Sequence, residues 1–119
     1  MGKINLIIIL LNFISVSILA QKTKQMQNSY NCQRALEIIE KDGDPNEALE
    51  FLNMEIAEHP KNGYAYYLIG CIYNQADMSG EAIGPMNKAI EYLQKDKEWI
   101  TYAYRQRASI NQKLGNEIA

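Results

Sequence analysis

The side chains able to do chemistry are few, and their spacing offers little to catalysis. The chain holds one histidine, His59, and two cysteines, Cys32 and Cys71. The acidic pairs Glu37/Glu40 and Glu55/Glu58 stand three residues apart, which on a helix places each pair on one face. Such a pair works as general acid and base only where a pocket raises one pKa above the other. Without a pocket it is a solvated helix face, and that is the reading taken for both pairs. His59 precedes Pro60 with no partner group clustered beside it, so it reads as a helix-terminal residue. A structural zinc site draws on about four Cys or His ligands, and here the two cysteines and one histidine are scattered. Gly43, Gly63, Gly70 and Gly80 punctuate helices and form no phosphate-binding loop. The sequence therefore predicts no catalytic residue, no metal ligand, no cofactor and no enzyme.

Caps and breakers set the elements that carry these groups. A first helix is expected over Ser29–Lys41, with Leu36 and Ile39 on its core side and Asp42-Gly43-Asp44-Pro45 ending it. Asp44 then caps a second helix, Pro45 suits its first position, and Glu47 can reach back in a capping box. That helix runs to about Glu58 and turns Ala48, Leu49, Leu52 and Ile56 inward. Pro60 stops it, because proline disfavours a helical residue before it. A third helix is expected from Asn62 to Gln75, and a fourth from Ser79 to near Gln94 with Gly84-Pro85 inside it. A fifth, capped by Asp96, ends before Gly115. The fold class is all-α.

Two of these helices carry a pattern. Tyr66-x2-Ile69-Gly70-x2-Tyr73 is followed by Ala82-x3-Met86-x2-Ala89, small and large residues alternating at helical spacing. Moving back 34 residues gives Cys32, Ala35, Leu36 and Ile39, then Ala48 and Leu52, with Pro60 before the next unit. Moving forward 38 residues gives Tyr104, Arg107, Ala108 and Asn111. The pattern and its period resemble the tetratricopeptide repeat. The resemblance covers 29–119, as repeats over 29–60 and 61–94 and a partial one over 95–119. It implies an antiparallel helix-pair solenoid of about two and a half repeats. It also tolerates Pro85 early in its helix. Tyr66, Ile69, Gly70, Tyr73, Ala82, Met86 and Ala89 are then expected to be buried.

The resemblance further implies a concave groove lined by the first helix of each repeat. It places Tyr30, Tyr64, Tyr67, Asn74, Gln75, Tyr102 and Arg105 on that face as partner-binding residues. Tyr30, Tyr64 and Tyr102 fall at equivalent positions, a tyrosine ladder. Tyrosine and arginine suit binding hot spots, and Asn or Gln can bond an extended peptide backbone. The other reading of these side chains is that the tyrosines cover inter-helix seams and the polar groups face water. Cys32 and Cys71 take different faces in the repeat alignment, too far apart to pair. Trp99 lies outside the pattern, and the sequence leaves open whether it packs on Tyr92 or Leu93 or is exposed. The expected function is a non-enzymatic scaffold binding a peptide or partner helix. The alternative is a structural N-terminal fragment of a longer exported repeat array. In the fifth helix, Arg107 and Asn111 suit a solvated cap. Gly115-Asn116 instead suits a turn into another helix, leaving an open end free to self-associate through Tyr104, Ala108 and Leu114.

Lys3 followed by an apolar run from Ile4 to Ala20 reads as a signal peptide over 1–20, cleaved before Gln21. A polar leader occupies 21–28. The expected location is periplasmic or secreted, with no membrane association after cleavage. Twelve basic against fourteen acidic residues give a net charge of −2. The charges are interspersed, so no basic stripe suits nucleic acid.

Overall fold

The computed structural model describes residue 26 and residues 28–118. The expected signal peptide and most of the leader lie outside the described residues. The described chain is all-helical: α1 (Tyr30–Glu40), α2 (Pro45–Glu58), α3 (Gly63–Gln75), α4 (Ser79–Tyr92) and α5 (Lys97–Ile118). Each helix packs against the next in the chain, and α3 also touches α5. Among the described residues there is no strand and no helix long and apolar enough to cross a membrane.

Side chains start most of these helices, each binding backbone N–H groups that have no intrahelical acceptor. Ser29 Oγ accepts from Cys32 N–H at 3.2 Å, and Asp44 Oδ1 from Asn46 N–H at 2.9 Å. Asn62 Oδ1 takes the N–H groups of Tyr64 and Ala65 at 3.1 and 3.2 Å. Asp96 Oδ1 takes those of Glu98 and Trp99 at 3.2 and 3.0 Å. Asp44 works alone: among the described residues no bond returns from Glu47. Met78 precedes α4 at the N-cap position, and no side chain caps that helix.

The turns after α1 and α3 close in the same way. Asp42 (φ 54°) and Asp77 (φ 57°) adopt the left-handed conformation just past each helix. The next N–H then reaches back into the last turn, from Gly43 to Ile38 O at 2.7 Å and from Met78 to Tyr73 O at 2.9 Å. Gly43 therefore serves by lacking a side chain, since a Cβ there would lie 2.9 Å from Ile38 Cγ2.

The core follows one stripe per helix. Cys32, Ala35 and Ile38 are buried on α1, Ala48 and Leu52 on α2, and Ala65, Leu68, Ile69 and Ile72 on α3. Ala82, Met86, Ala89 and Ile90 continue it on α4, and Ala103 and Ile110 on α5. Leu36, Ile39, Leu49 and Ile56 pack at its edge, as do Tyr66 and Tyr73. Gly70 lies where α3 meets α4: a Cβ would stand 2.6 Å from Met86 Cε and 3.4 Å from its backbone nitrogen. Helix α5 departs from expectation by running through Gly115 to Ile118. Gly115 faces open space. A solvated glycine costs a helix only about 1 kcal/mol relative to alanine, too little to break it where no proline follows.

Candidate interaction surface

Asp96 sets the first turn of α5 and thereby fixes Trp99 against α3. The Trp99 ring meets three tyrosines edge-on: Tyr64 at 4.8 Å and 81°, Tyr67 at 5.5 Å and 73°, and Tyr102 at 5.3 Å and 75° between centroids and planes. Edge-to-face pairs of this kind contribute about 0.5–1.5 kcal/mol each beyond burial, because the positive ring edge meets the negative face. Tyr64 is only 4% exposed, whereas Tyr67, Trp99 and Tyr102 are half-buried and present part of their rings to solvent. The open question over Trp99 is thus resolved: it is the hub joining Tyr64, Tyr67 and Tyr102. Tyr92 pairs instead with Tyr66, at 5.7 Å.

Toward the other end of α3, polar groups hold the same two helices. Asn74 Nδ2 donates to Gln106 Oε1 at 3.0 Å and to Ser109 Oγ at 3.4 Å. Lys113 Nζ donates to Asn74 O at 2.9 Å and Asp77 Oδ1 at 3.1 Å. That places a cation at the negative end of the α3 dipole. Asn74 is 6% exposed, and among the described residues its Oδ1 has no hydrogen-bond donor. Asn74 thus spends its amide donor within the fold.

The other expected contact residues lie apart from this clasp. Gln75 and Arg105 are exposed. Tyr30, 71% exposed, meets Phe51 of α2 at 6.4 Å, with the Arg34 guanidinium over the same Phe51 ring. The structure therefore brings Tyr64, Tyr67 and Tyr102 together through Trp99 and directs Tyr30 to a different neighbour. Phe51 and Gln106 had no signal in the repeat pattern, since Phe51 lies within α2 off its inward stripe of Ala48 and Leu52, and Gln106 is one residue off the expected face.

The buried thiols and the phenols of Tyr64 and Tyr67 stay in their neutral forms. Burial pushes the Cys71 thiol up to about 11, partly offset by its hydrogen bond with the Tyr67 hydroxyl. Burial also raises Cys32 to about 11. Neither thiol is a thiolate at neutral pH, so neither is activated as a nucleophile. Both are free. Burial raises the phenols of Tyr64 and Tyr67 well above the ordinary tyrosine range, which keeps them as hydrogen-bonding groups. No family model, no curated protein and no solved structure matches the chain.

Proposed function

We propose that this protein is a tetratricopeptide-type scaffold that binds a peptide or partner helix without chemical turnover. The observation that carries the proposal is the half-buried aromatic group of Tyr67, Trp99 and Tyr102, fixed from two helices, with Arg105 exposed on α5 and Gln75 exposed at the end of α3. Rings held rigidly and left partly open lose little entropy when a partner covers them, and aromatic and arginine side chains dominate interface energetics. Support for the repeat reading comes from helices joined by the short turns 41–44, 59–62, 76–78 and 93–96, which favour antiparallel neighbours. The matching left-handed turns at Asp42 and Asp77 add to it.

Tyr64 contributes from beneath by bracing Trp99, and Asn74 by holding α5 to α3. The recognition surface is accordingly narrower than the seven residues expected from the sequence. Its test is a peptide selected from a library for binding the full chain. Tyr102→Ala with Arg105→Ala should weaken that peptide at least about tenfold, the loss of one hot spot of about 1.4 kcal/mol or more, with helical content unchanged. Unchanged affinity in the double variant rejects this surface.

A second reading, a structural unit within a longer exported array, draws on Tyr104 at 46% exposure beside exposed Ala108 on α5. Sedimentation showing a monomer at all concentrations speaks against self-association through that face. Export itself rests on the Lys3 and Ile4–Ala20 pattern. Recovery of the intact 1–20 segment on the exported protein by mass spectrometry rejects cleavage before Gln21.

A further inference from the structure

The corner where α2 ends and α3 begins gathers three groups that the scaffold does not use. Glu55, Glu58 and His59 occupy positions i, i+3 and i+4, so the last turn of α2 brings them to one face. A carboxylate oxygen from each glutamate and an imidazole nitrogen of His59 lie within 4.8 Å of one another. Glu58 and His59 are exposed and free to adjust their rotamers.

The decisive member is Glu55. It is 2% exposed, yet it was expected on a solvated face. Its Oε2 accepts from Asn62 Nδ2 at 2.8 Å, and Asn62 is itself 1% exposed and fixed by capping α3. No lysine or arginine among the described residues forms an ion pair with it. Lys61, two residues beyond His59, is exposed and forms none either. A buried carboxylate with one neutral donor and no counter-charge is costly to keep. The surroundings add to the negative potential. Glu58 is adjacent, the carbonyl end of α2 points here, and its last turn carries no basic residue.

We propose that Glu55, Glu58 and His59 form a divalent-cation site of the zinc class. The donor set is two carboxylate oxygens and one imidazole nitrogen. The imidazole favours zinc over calcium or magnesium, which prefer oxygen ligands throughout. Asn62 acts as the outer partner that orients Glu55, as groups behind metal ligands commonly do. The cation neutralises the buried carboxylate and ties the end of α2 to the start of α3.

His59 is the only histidine, so its imidazole resonance reports binding without ambiguity. The experiment titrates the isotope-labelled full chain with zinc, and separately with calcium, following the imidazole by nuclear magnetic resonance. The expected result is saturation at one zinc per chain, with calcium at least about tenfold weaker. Glu58→Gln and Glu55→Gln should each weaken zinc at least about tenfold, the scale set by removing groups around a bound metal. Glu58 is exposed, so Glu58→Gln decides the matter even if Glu55→Gln fails to fold. An imidazole that does not respond to zinc overturns the site. So does a response indifferent to Glu58→Gln, which would mean adventitious binding by His59 alone, and so does calcium binding as tightly as zinc.

Discussion

The α3–α5 seam and the corner between α2 and α3 both bury polar groups, but they balance them differently. At the seam, the charge of Lys113 is met by Asp77 and by the Asn74 carbonyl, and the Asn74 amide donor is met by Gln106 and Ser109. At the corner, the Glu55 carboxylate meets one neutral amide. A charge matched within the chain, here the half-buried ammonium of Lys113 against the exposed Asp77, holds helices together. One left unmatched marks where an outside charge is expected. The aromatic content differs in the same sense: four rings converge at the seam, while α1 and α2 offer only the Tyr30–Phe51 pair.

The largest test of this contrast is aromatic truncation. Trp99→Ala should cost about 3 kcal/mol, near the low end for a packed tryptophan because the ring is half-buried. Phe51→Ala, with fewer ring partners, should cost clearly less. Urea denaturation followed by circular dichroism compares the two, and equal costs would erase the distinction between the regions.

Next in size is the close approach of α3 and α4. Gly70→Leu should cost about 2 kcal/mol, since the added side chain reaches past the movable Met86 methyl to its backbone. An unchanged denaturation midpoint would mean that Gly70 is not a packing requirement.

The corner gives a paired prediction. Glu55→Ala removes a charge-assisted hydrogen bond and should destabilise the metal-free protein by about 2 kcal/mol. Glu55→Gln keeps an acceptor for Asn62 and removes the buried charge, so it should cost markedly less. The reverse order would show that the charge itself is stabilising there.

These regions were not equally legible in the sequence. Helix starts were readable because Ser29, Asp44, Asn62 and Asp96 signal through their own backbone neighbours. The buried slots Ala82, Met86 and Ala89 were readable because spacing alone puts them on one face. Tyr66 and Tyr73 pack only at the core edge, since a ring in such a slot extends beyond the stripe. Glu55 escaped because an i, i+3 acid pair looks solvated, and only the tertiary approach of Asn62 makes one member buried. Trp99 escaped because it belongs to a connection longer than the repeat, so no register predicted its neighbours. For Asn74, the sequence could not tell an amide offered to a ligand from one already used by Gln106.

A smaller effect should appear in alkali. The thiols of Cys32 and Cys71 are raised from 9.0 to about 11 in the folded chain. Between those values the unfolded chain has lost protons that the folded chain keeps, so stability falls as pH rises from about 9 and levels off above about 11. Replacing both cysteines with alanine should flatten that slope in denaturation midpoints measured across the window. A slope unchanged by the replacement would assign it to other groups, among them the raised phenols of Tyr64 and Tyr67.

The central claim, recognition at the α3–α5 aromatic surface, is tested most directly by mapping a selected peptide onto the labelled protein by nuclear magnetic resonance. Trp99 is the only tryptophan, so its indole N–H is a single assigned probe. The largest shifts are expected on the Trp99 indole, Tyr67, Tyr102, Gln75 and Arg105. Shifts confined to Tyr30 and Phe51, with the Trp99 indole unmoved at saturation, would contradict it.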